Sequence, residues 1–255
     1  MTTLYCDLDS TLIYSHRKTI NVKKRVVERL NGRDQSFMTE QTYLFLKSLS
    51  NTQIVPVTTR SLDQFLRLKD TMTAINCKNA IIYNGAVLLR NWSIDTAWLI
   101  RSRELAAEAK NDMQIALSFF DHSCKALKKC SFEHLFCYAS VENPMSIAQE
   151  LRMRVNESVV DVFHDSRKVY CSPKAINKGA AVIRFSKMIG RGLTIGIGDS
   201  TNDLPMLNHV NIPIAPEQLL LQIKNRCAVG ISENEILSDA ACDIIDSVLA
   251  CTQNA

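Results

Sequence analysis

Two aspartates stand two residues apart in Asp7-Leu8-Asp9, followed by the hydroxyls of Ser10 and Thr11. The apolar run Leu4-Tyr5-Cys6 just before them reads as a buried β-strand. Close carboxylates repel, and the repulsion is relieved by a cation between them or a proton on one of them. One can then act as a nucleophile and a ligand for a hard cation such as Mg²⁺, while the other moves protons. If the strand conformation persists, both side chains point to one side. At the carboxyl end of a parallel strand, that side is where α/β sheets bind ligands. The competing reading is an acidic turn or helix cap after a strand.

A second acidic group lies in Gly198-Asp199-Ser200-Thr201-Asn202-Asp203. Asp199 here can complete an oxygen site with Asp7, because Mg²⁺ keeps several waters and needs only two or three protein ligands. Helix capping by Asp199, Ser200 or Asn202 is the alternative. Lys178 precedes Gly179 at the start of an expected helix, where a cation opposes the dipole. An ammonium beside Asp7 would keep a nucleophile ionised and neutralise a phosphoryl oxygen. Taken alone, Lys178 reads better as a solvated surface lysine. Thr58 offers a hydroxyl, and the backbone N–H groups after it open a helix, an arrangement that suits phosphate. Arg60 is either a phosphate contact or half of a surface ion pair.

The elements that must position these groups follow from periodicity. A helix is expected over Thr39–Ser50, with Thr39 as N-cap, then a strand over Gln53–Val57. Ser61-x-x-Gln64 is a capping box opening a helix to about Met72. Ala80–Tyr83 is a third strand, closed by Asn84-Gly85. Beyond it the pattern changes. Strand-like pieces at Val87–Arg90, Trp98–Ile100, His134–Val141 and Val159–Phe163 alternate with helical stretches at Ser102 to about Phe120 and Met145 to about Val155. The strand–helix alternation resumes with a helix over Asn177–Ile189, a strand over Leu193–Ile197 and a helix from about Asn202. A short strand over Asn211–Ala215, a helix over Pro216–Asn225 and a closing helix over Ser232–Leu249 complete it. This implies an α/β fold: a Rossmann-like, mainly parallel core sheet over residues 1–85 and 170–255, interrupted by an α+β insertion over 86–169. Residues 14–37, with a turn signal at Asn31-Gly32-Arg33, read as a hairpin or flap beside Asp7 and Asp9. Asp7, Thr58 and Asp199 each fall just past a strand, so they are expected to converge at one sheet edge.

Bulk properties exclude several classes. No apolar run approaches the roughly 18 residues needed to span a bilayer, so no membrane association is expected. No basic stretch precedes a long apolar segment at the N-terminus, so no secretory signal is expected. The nine cysteines lack zinc-site spacing and mostly sit in apolar company, which fits reduced thiols and a cytoplasmic location. The net charge of +4 comes from dispersed basic residues without interleaved aromatics, so nucleic acid is not an expected partner. No exposed heptad or apolar stripe indicates an oligomeric state.

The four groups Asp7-Leu8-Asp9-Ser10-Thr11, Thr58, Lys178-Gly179 and Gly198-Asp199 with Asn202-Asp203 resemble the ordered motifs of the haloacid dehalogenase-like (HAD) superfamily. Asn84-Gly85-Ala86 and the insertion resemble its Cof-type branch, class IIB with a C2 cap, which includes sucrose-phosphate phosphatases. Stretches around Asn31-Gly32-Arg33, Ser36–Glu40 and Val55–Arg60 also resemble HAD proteins found with bacterial tellurium-resistance gene clusters. The resemblance implies a Mg²⁺-dependent phosphatase acting on a small phosphorylated metabolite through an aspartyl-phosphate. It implies that Asp7 is the nucleophile, that Asp9 is the acid and base, and that Thr58 and Lys178 hold the phosphoryl oxygens. Leu8, Thr59, Arg60, Asn84 and Gly85 would also border the phosphate or substrate. Mg²⁺ would be held by Asp7, the Asp9 backbone carbonyl and Asp199, supported by Asn202 and Asp203. A phosphomutase and a non-catalytic phosphometabolite-binding module are the alternatives. Arg90, Trp92, His134 and Lys168 are candidates for leaving-group contacts from the insertion. The usual glycine of the second motif is replaced by Thr59.

Overall fold

The structure, a computed structural model, describes residues 1–190 and 192–253. In chain order the elements are β1 (Thr2–Cys6), β2 (Tyr14–Ser15), β3 (Lys24–Leu30), β4 (Arg33–Thr39), α1 (Glu40–Ser48), β5 (Thr52–Pro56), α2 (Leu62–Leu66), α3 (Lys69–Ala74) and β6 (Asn79–Ile82). Next come β7 (Val87–Arg90), β8 (Ser93–Ile94), α4 (Thr96–Leu105), α5 (Lys110–Ser118), β9 (Lys128–Phe132), β10 (Phe136–Ser140), α6 (Pro144–Arg152), β11 (Val160–His164) and β12 (Lys168–Pro173). The chain ends with α7 (Lys178–Ile189), β13 (Thr194–Ile197), α8 (Leu204–Leu207), β14 (Ile212–Pro216), β15 (Val229–Ile231) and α9 (Leu237–Gln253).

The central sheet is parallel, in the order β15-β14-β13-β1-β5. Every residue of β1 is buried, as a strand covered on both faces requires. Leu4 and Cys6 face a core layer built with Tyr43, Leu46, Ala241 and Ile245 of α1 and α9. Tyr5, one position out of phase, faces the opposite layer with Ala181, Val182 and Phe185 of α7. A parallel bridge between Val57 and Ile81 carries the sheet on to β6. Val87–Arg90, read from sequence as part of the insertion, runs antiparallel to β6.

The insertion carries a four-stranded antiparallel sheet in the order β11-β12-β10-β9, whose strand β12 runs on to Pro173, past the expected boundary at 169. One face, with Cys137, Ala139, Val169 and Cys171, packs on α5 and α6. The other face carries Phe136, Tyr138 and Tyr170, which join the core cluster of the main domain. This two-faced strand pattern makes the insertion a lid whose aromatic side lies on the central sheet's edge.

Several sequence expectations need correction. Trp98–Ile100 is not a strand but the first turns of α4, because Asp95 caps the helix by accepting from the Trp98 N–H at 2.8 Å. The Trp98 ring packs on the core, with its indole N–H donating to the Gly85 carbonyl. The stretch from Ser102 breaks between α4 and α5 at Ala107–Ala109. Pro216–Asn225 forms only a short 3₁₀ segment, Glu217–Gln222. β9, β12 and β15 were not foreseen as strands.

Candidate active site

The Asp7 carboxylate emerges where β1 stops. The Asp7 N–H still pairs with the Ile197 carbonyl at 2.9 Å, but the chain then folds into a turn. The Leu8 carbonyl accepts from Leu12 and Ile13, and Ser10 takes a left-handed conformation with φ 66°. The turn, rather than a continued strand, brings both Asp7 and Asp9 onto one cavity of about 590 Å³. Leu8 between them is fully buried and anchors the turn in the core.

Lys178 is not a solvated surface residue. It is 2% exposed, and its Nζ lies 2.5 Å from Asp7 Oδ1 and 2.6 Å from Asp203 Oδ1. Its helix is delivered there by a close approach. A Cβ at Gly179 would stand 2.3 Å from the Pro205 carbonyl oxygen, so only glycine lets α7 meet α8 at this distance. Asp203 has both oxygens engaged: Oδ1 takes the lysine, while Oδ2 accepts from the backbone N–H groups of Asp199 and Ser200 and from the Ser200 hydroxyl. The helix-cap reading therefore holds for Ser200, with Asp203 as its reciprocal partner, and the cap at the same time fixes Lys178. Asp199 remains open to the cavity with Asn202, its Oδ1 accepting from the Thr11 hydroxyl at 2.9 Å. That hydroxyl is also 3.3 Å from Asp7 Oδ2.

Candidate ligand oxygens of Asp7, Asp199 and Asp203 lie within 4.8 Å of one another. Three carboxylates around one lysine leave a deficit of positive charge. Burial pushes the Asp7 carboxyl well above its ordinary value; Lys178 opposes this, and Asp203, Asp199 and Asp9 add to it. Burial and Asp203 push Asp199 up to about 6. A buried all-oxygen acidic cluster held out of its preferred charge state fits a divalent hard cation such as Mg²⁺.

Asp9 is gripped differently. The Arg60 guanidinium binds it in a two-pronged pair, Nε to Oδ2 and Nη2 to Oδ1, both 2.8 Å. Burial tends to raise the Asp9 carboxyl, but the Arg60 charge and hydrogen bonds prevail and hold it below its ordinary value. Arg60 is 8% exposed and is held in turn by Glu28 of β3 at 3.0 Å. Glu28 is 3% exposed and also accepts from Arg67 at 2.7 Å and the Ser36 hydroxyl at 2.8 Å. Arg60 thus lines the cavity and is also the centre of a charge network that ties the β3–β4 hairpin to Asp9.

Thr59 lines the cavity, whereas Thr58 is 1% exposed, with its hydroxyl oxygen accepting from the Arg60 N–H. Asn84 and Gly85 are buried and lie away from the cavity wall. Asn84 sits in the left-handed region at φ 57° and reaches Ser172 with its amide. Of the four insertion candidates, Lys168 lines the cavity. Arg90 instead pairs with Asp95, and Trp92 stacks on Phe65. The site residues that sequence reasoning missed include Thr11, Glu28, Arg67, Tyr170 and the turn 164–167. Thr11 stood inside the first motif; nothing local marked the others.

A family model for haloacid dehalogenase-like hydrolases matches residues 49–238. The chain belongs to that family. Its fold is similar to a sucrose-phosphatase from Synechocystis sp. PCC6803, solved with sucrose and phosphate, at TM-score 0.63 and 15% identity over 96% of both chains. It is also similar to the HAD subclass IIB sugar phosphatase BT4131, at TM-score 0.60 and 15% identity over 97% of this chain and 99% of that one. The phosphatase BT1666 from Bacteroides thetaiotaomicron gives TM-score 0.56 and 14% identity over 97% and 94%. No curated protein sequence matches the chain. The Rossmann-like HAD core with an inserted cap is therefore the fold. No described helix is long and apolar enough to cross a membrane.

Proposed function

We propose that the protein is a Mg²⁺-dependent phosphatase that hydrolyses a phosphomonoester of a small metabolite through a phosphoaspartate on Asp7. The observation that carries this reading is the placement of Asp7. It is nearly buried at the carboxyl end of the central strand, in contact with Lys178, and opens on the same cavity as Asp9 and Asp199. The solved relatives of this fold described as sugar phosphatases support it.

Asp7 attacks phosphorus through a carboxylate oxygen, and the bond to the leaving oxygen breaks. Asp9 supplies the proton that oxygen needs, then takes a proton from the water that attacks phosphorus and releases phosphate. Arg60 favours the ionised form of Asp9, which suits the second step. An incoming phosphoryl group is negative and favours the protonated form needed in the first. Lys178 holds Asp7 in place and neutralises charge beside it. When bound by Asp7, Asp199 and the Asp9 carbonyl, with Asn202 and Asp203 in support, Mg²⁺ would supply charge neutralisation for the transferring group. Cap residues close over the leaving group and exclude water.

Phosphate release from a panel of sugar phosphates, nucleotides and phosphoglycerate derivatives, with and without Mg²⁺, tests the reading. Mg²⁺-dependent release from at least one class is expected. Release that is indifferent to Mg²⁺ and to substitution of Asp7 would overturn it.

A further inference from the structure

The cavity wall contains more cations than the phosphoryl chemistry uses. Lys178 is paired with Asp7 and Asp203, Arg60 with Asp9 and Glu28, and Arg67 with Glu28. Lys168 and Arg167, at the β11–β12 turn of the cap, are different. Among the described residues neither side chain has a carboxylate ion-pair partner. The one acid on that turn, Asp165, is occupied elsewhere. It accepts from the Tyr170 hydroxyl at 2.6 Å and from the backbone N–H groups of Arg167 and Lys168 at 2.7 and 2.8 Å.

Lys168 is also held in a defined pose. It starts β12 on the same face as Tyr170, and on β10 Tyr138 pairs with Tyr170. The Lys168 Nζ sits 4.8 Å from the centre of the Tyr138 ring and 5.9 Å from that of Tyr170. Two rings fix the chain without neutralising its charge. Burial pulls the amine below its ordinary value even though Asp9 and Asp165 favour the charged form. A lysine kept half-buried on the cavity wall and left without a carboxylate ion pair is poised for an anion that arrives with the ligand.

We propose that Lys168, with Arg167 beside it, forms a subsite for a second anionic group, a carboxylate or phosphate on the leaving portion of the substrate. This deepens the phosphatase reading and rests on it for the identity of the first anion. The substrate class becomes a phosphomonoester with a further negative charge, rather than that of a neutral sugar.

The test is binding by calorimetry in the Asp7→Asn background, where turnover does not interfere. The probes are 6-phosphogluconate against glucose 6-phosphate, and fructose 1,6-bisphosphate against fructose 6-phosphate, up to millimolar concentration. The expected result is at least a roughly tenfold preference for the member with two anionic groups in one pair, as a charge-assisted contact provides. Which pair shows it separates carboxylate from phosphate. Lys168→Met should reduce that preference below about threefold by weakening mainly the member with two anionic groups, and Lys168→Arg should retain it. Equal binding within both pairs, a preference that survives in Lys168→Met, or no binding of any of the four would overturn the subsite. The phosphatase reading is judged separately, by phosphate release from the wild-type protein with Mg²⁺.

Discussion

Glu28→Gln removes one negative charge from a network of two arginines and two acids. In the folded protein Glu28 accepts from Arg60 at 3.0 Å, Arg67 at 2.7 Å and Ser36 at 2.8 Å while only 3% exposed. Breaking a buried ion pair from one side costs roughly 3–5 kcal/mol, because the remaining charge is stranded. Two features moderate that here. Arg67 is 25% exposed and regains water, and Arg60 keeps its pair with Asp9. The expected loss is therefore about 2–3 kcal/mol, read from urea unfolding as a lower midpoint at unchanged slope. The pH dependence gives an independent check. Burial raises the Glu28 carboxyl, but the Arg60 charge, with hydrogen bonds from Arg60, Ser36 and Arg67, outweighs it and leaves the group below its ordinary 4.5. A depressed carboxyl stabilises above its unfolded value and loses that contribution as pH falls through the folded one. The gap between wild type and Glu28→Gln should thus be full at neutral pH and narrow below pH 4.5. Activity should fall by about tenfold or more, mainly in kcat, since Arg60 loses the Glu28 anchor that fixes how it grips Asp9. A stability difference under about 0.5 kcal/mol at pH 7 would refute the network as drawn.

Three further outcomes are expected. Lys178→Met strands Asp7 and Asp203, so it should destabilise the metal-free protein by about 3–5 kcal/mol, more at pH 8 than at pH 5, because burial already pushes the Asp7 carboxyl well above its ordinary value and a proton there relieves the stranded charge; denaturant titration at both pH values checks this. Mg²⁺ affinity should fall as pH drops through about 6, with protons released on binding, because Asp199 is pushed up to that value; calorimetry in buffers of different ionisation enthalpy reads both effects. Gly179→Ala should cost about 1–3 kcal/mol and most of the activity, because its Cβ would stand 2.3 Å from the Pro205 carbonyl oxygen and push α7, with Lys178, away from Asp203; thermal unfolding and phosphate release measure the two losses.

The core of this fold was legible because its strands are short apolar runs ending in chemically loaded turns. β1 is buried on both faces, and the residues just beyond β1, β5 and β13 do meet at one sheet edge. Capping chemistry was equally readable at Thr39 and Ser61, which each accept from the N–H expected of an N-cap, whereas Asn177, read as the first helical residue, is itself the cap of α7. Lys178 was ambiguous because a dipole argument says only that a position is unfavourable, not which carboxylates offset it. Glu28 was illegible for a geometric reason. Val27 and Glu28 are adjacent, so a regular strand would turn one outward, yet both are buried across register shifts in the β3–β4 pairing. The cap strands were partly missed because β9 and the start of β12 are lysine-bearing and half-exposed, without alternation strong enough to read. Trp98 misled in the other direction: a β-favouring aromatic was placed in a helix by the Asp95 cap one turn earlier.

The most direct test of the central claim is Mg²⁺-dependent phosphate release by wild type and Asp7→Asn, with circular dichroism to confirm that both are folded. The amide cannot form an acyl-phosphate, so a loss on the order of 10³-fold or more is expected with the fold retained. Turnover by folded Asp7→Asn near the wild-type rate would contradict the account.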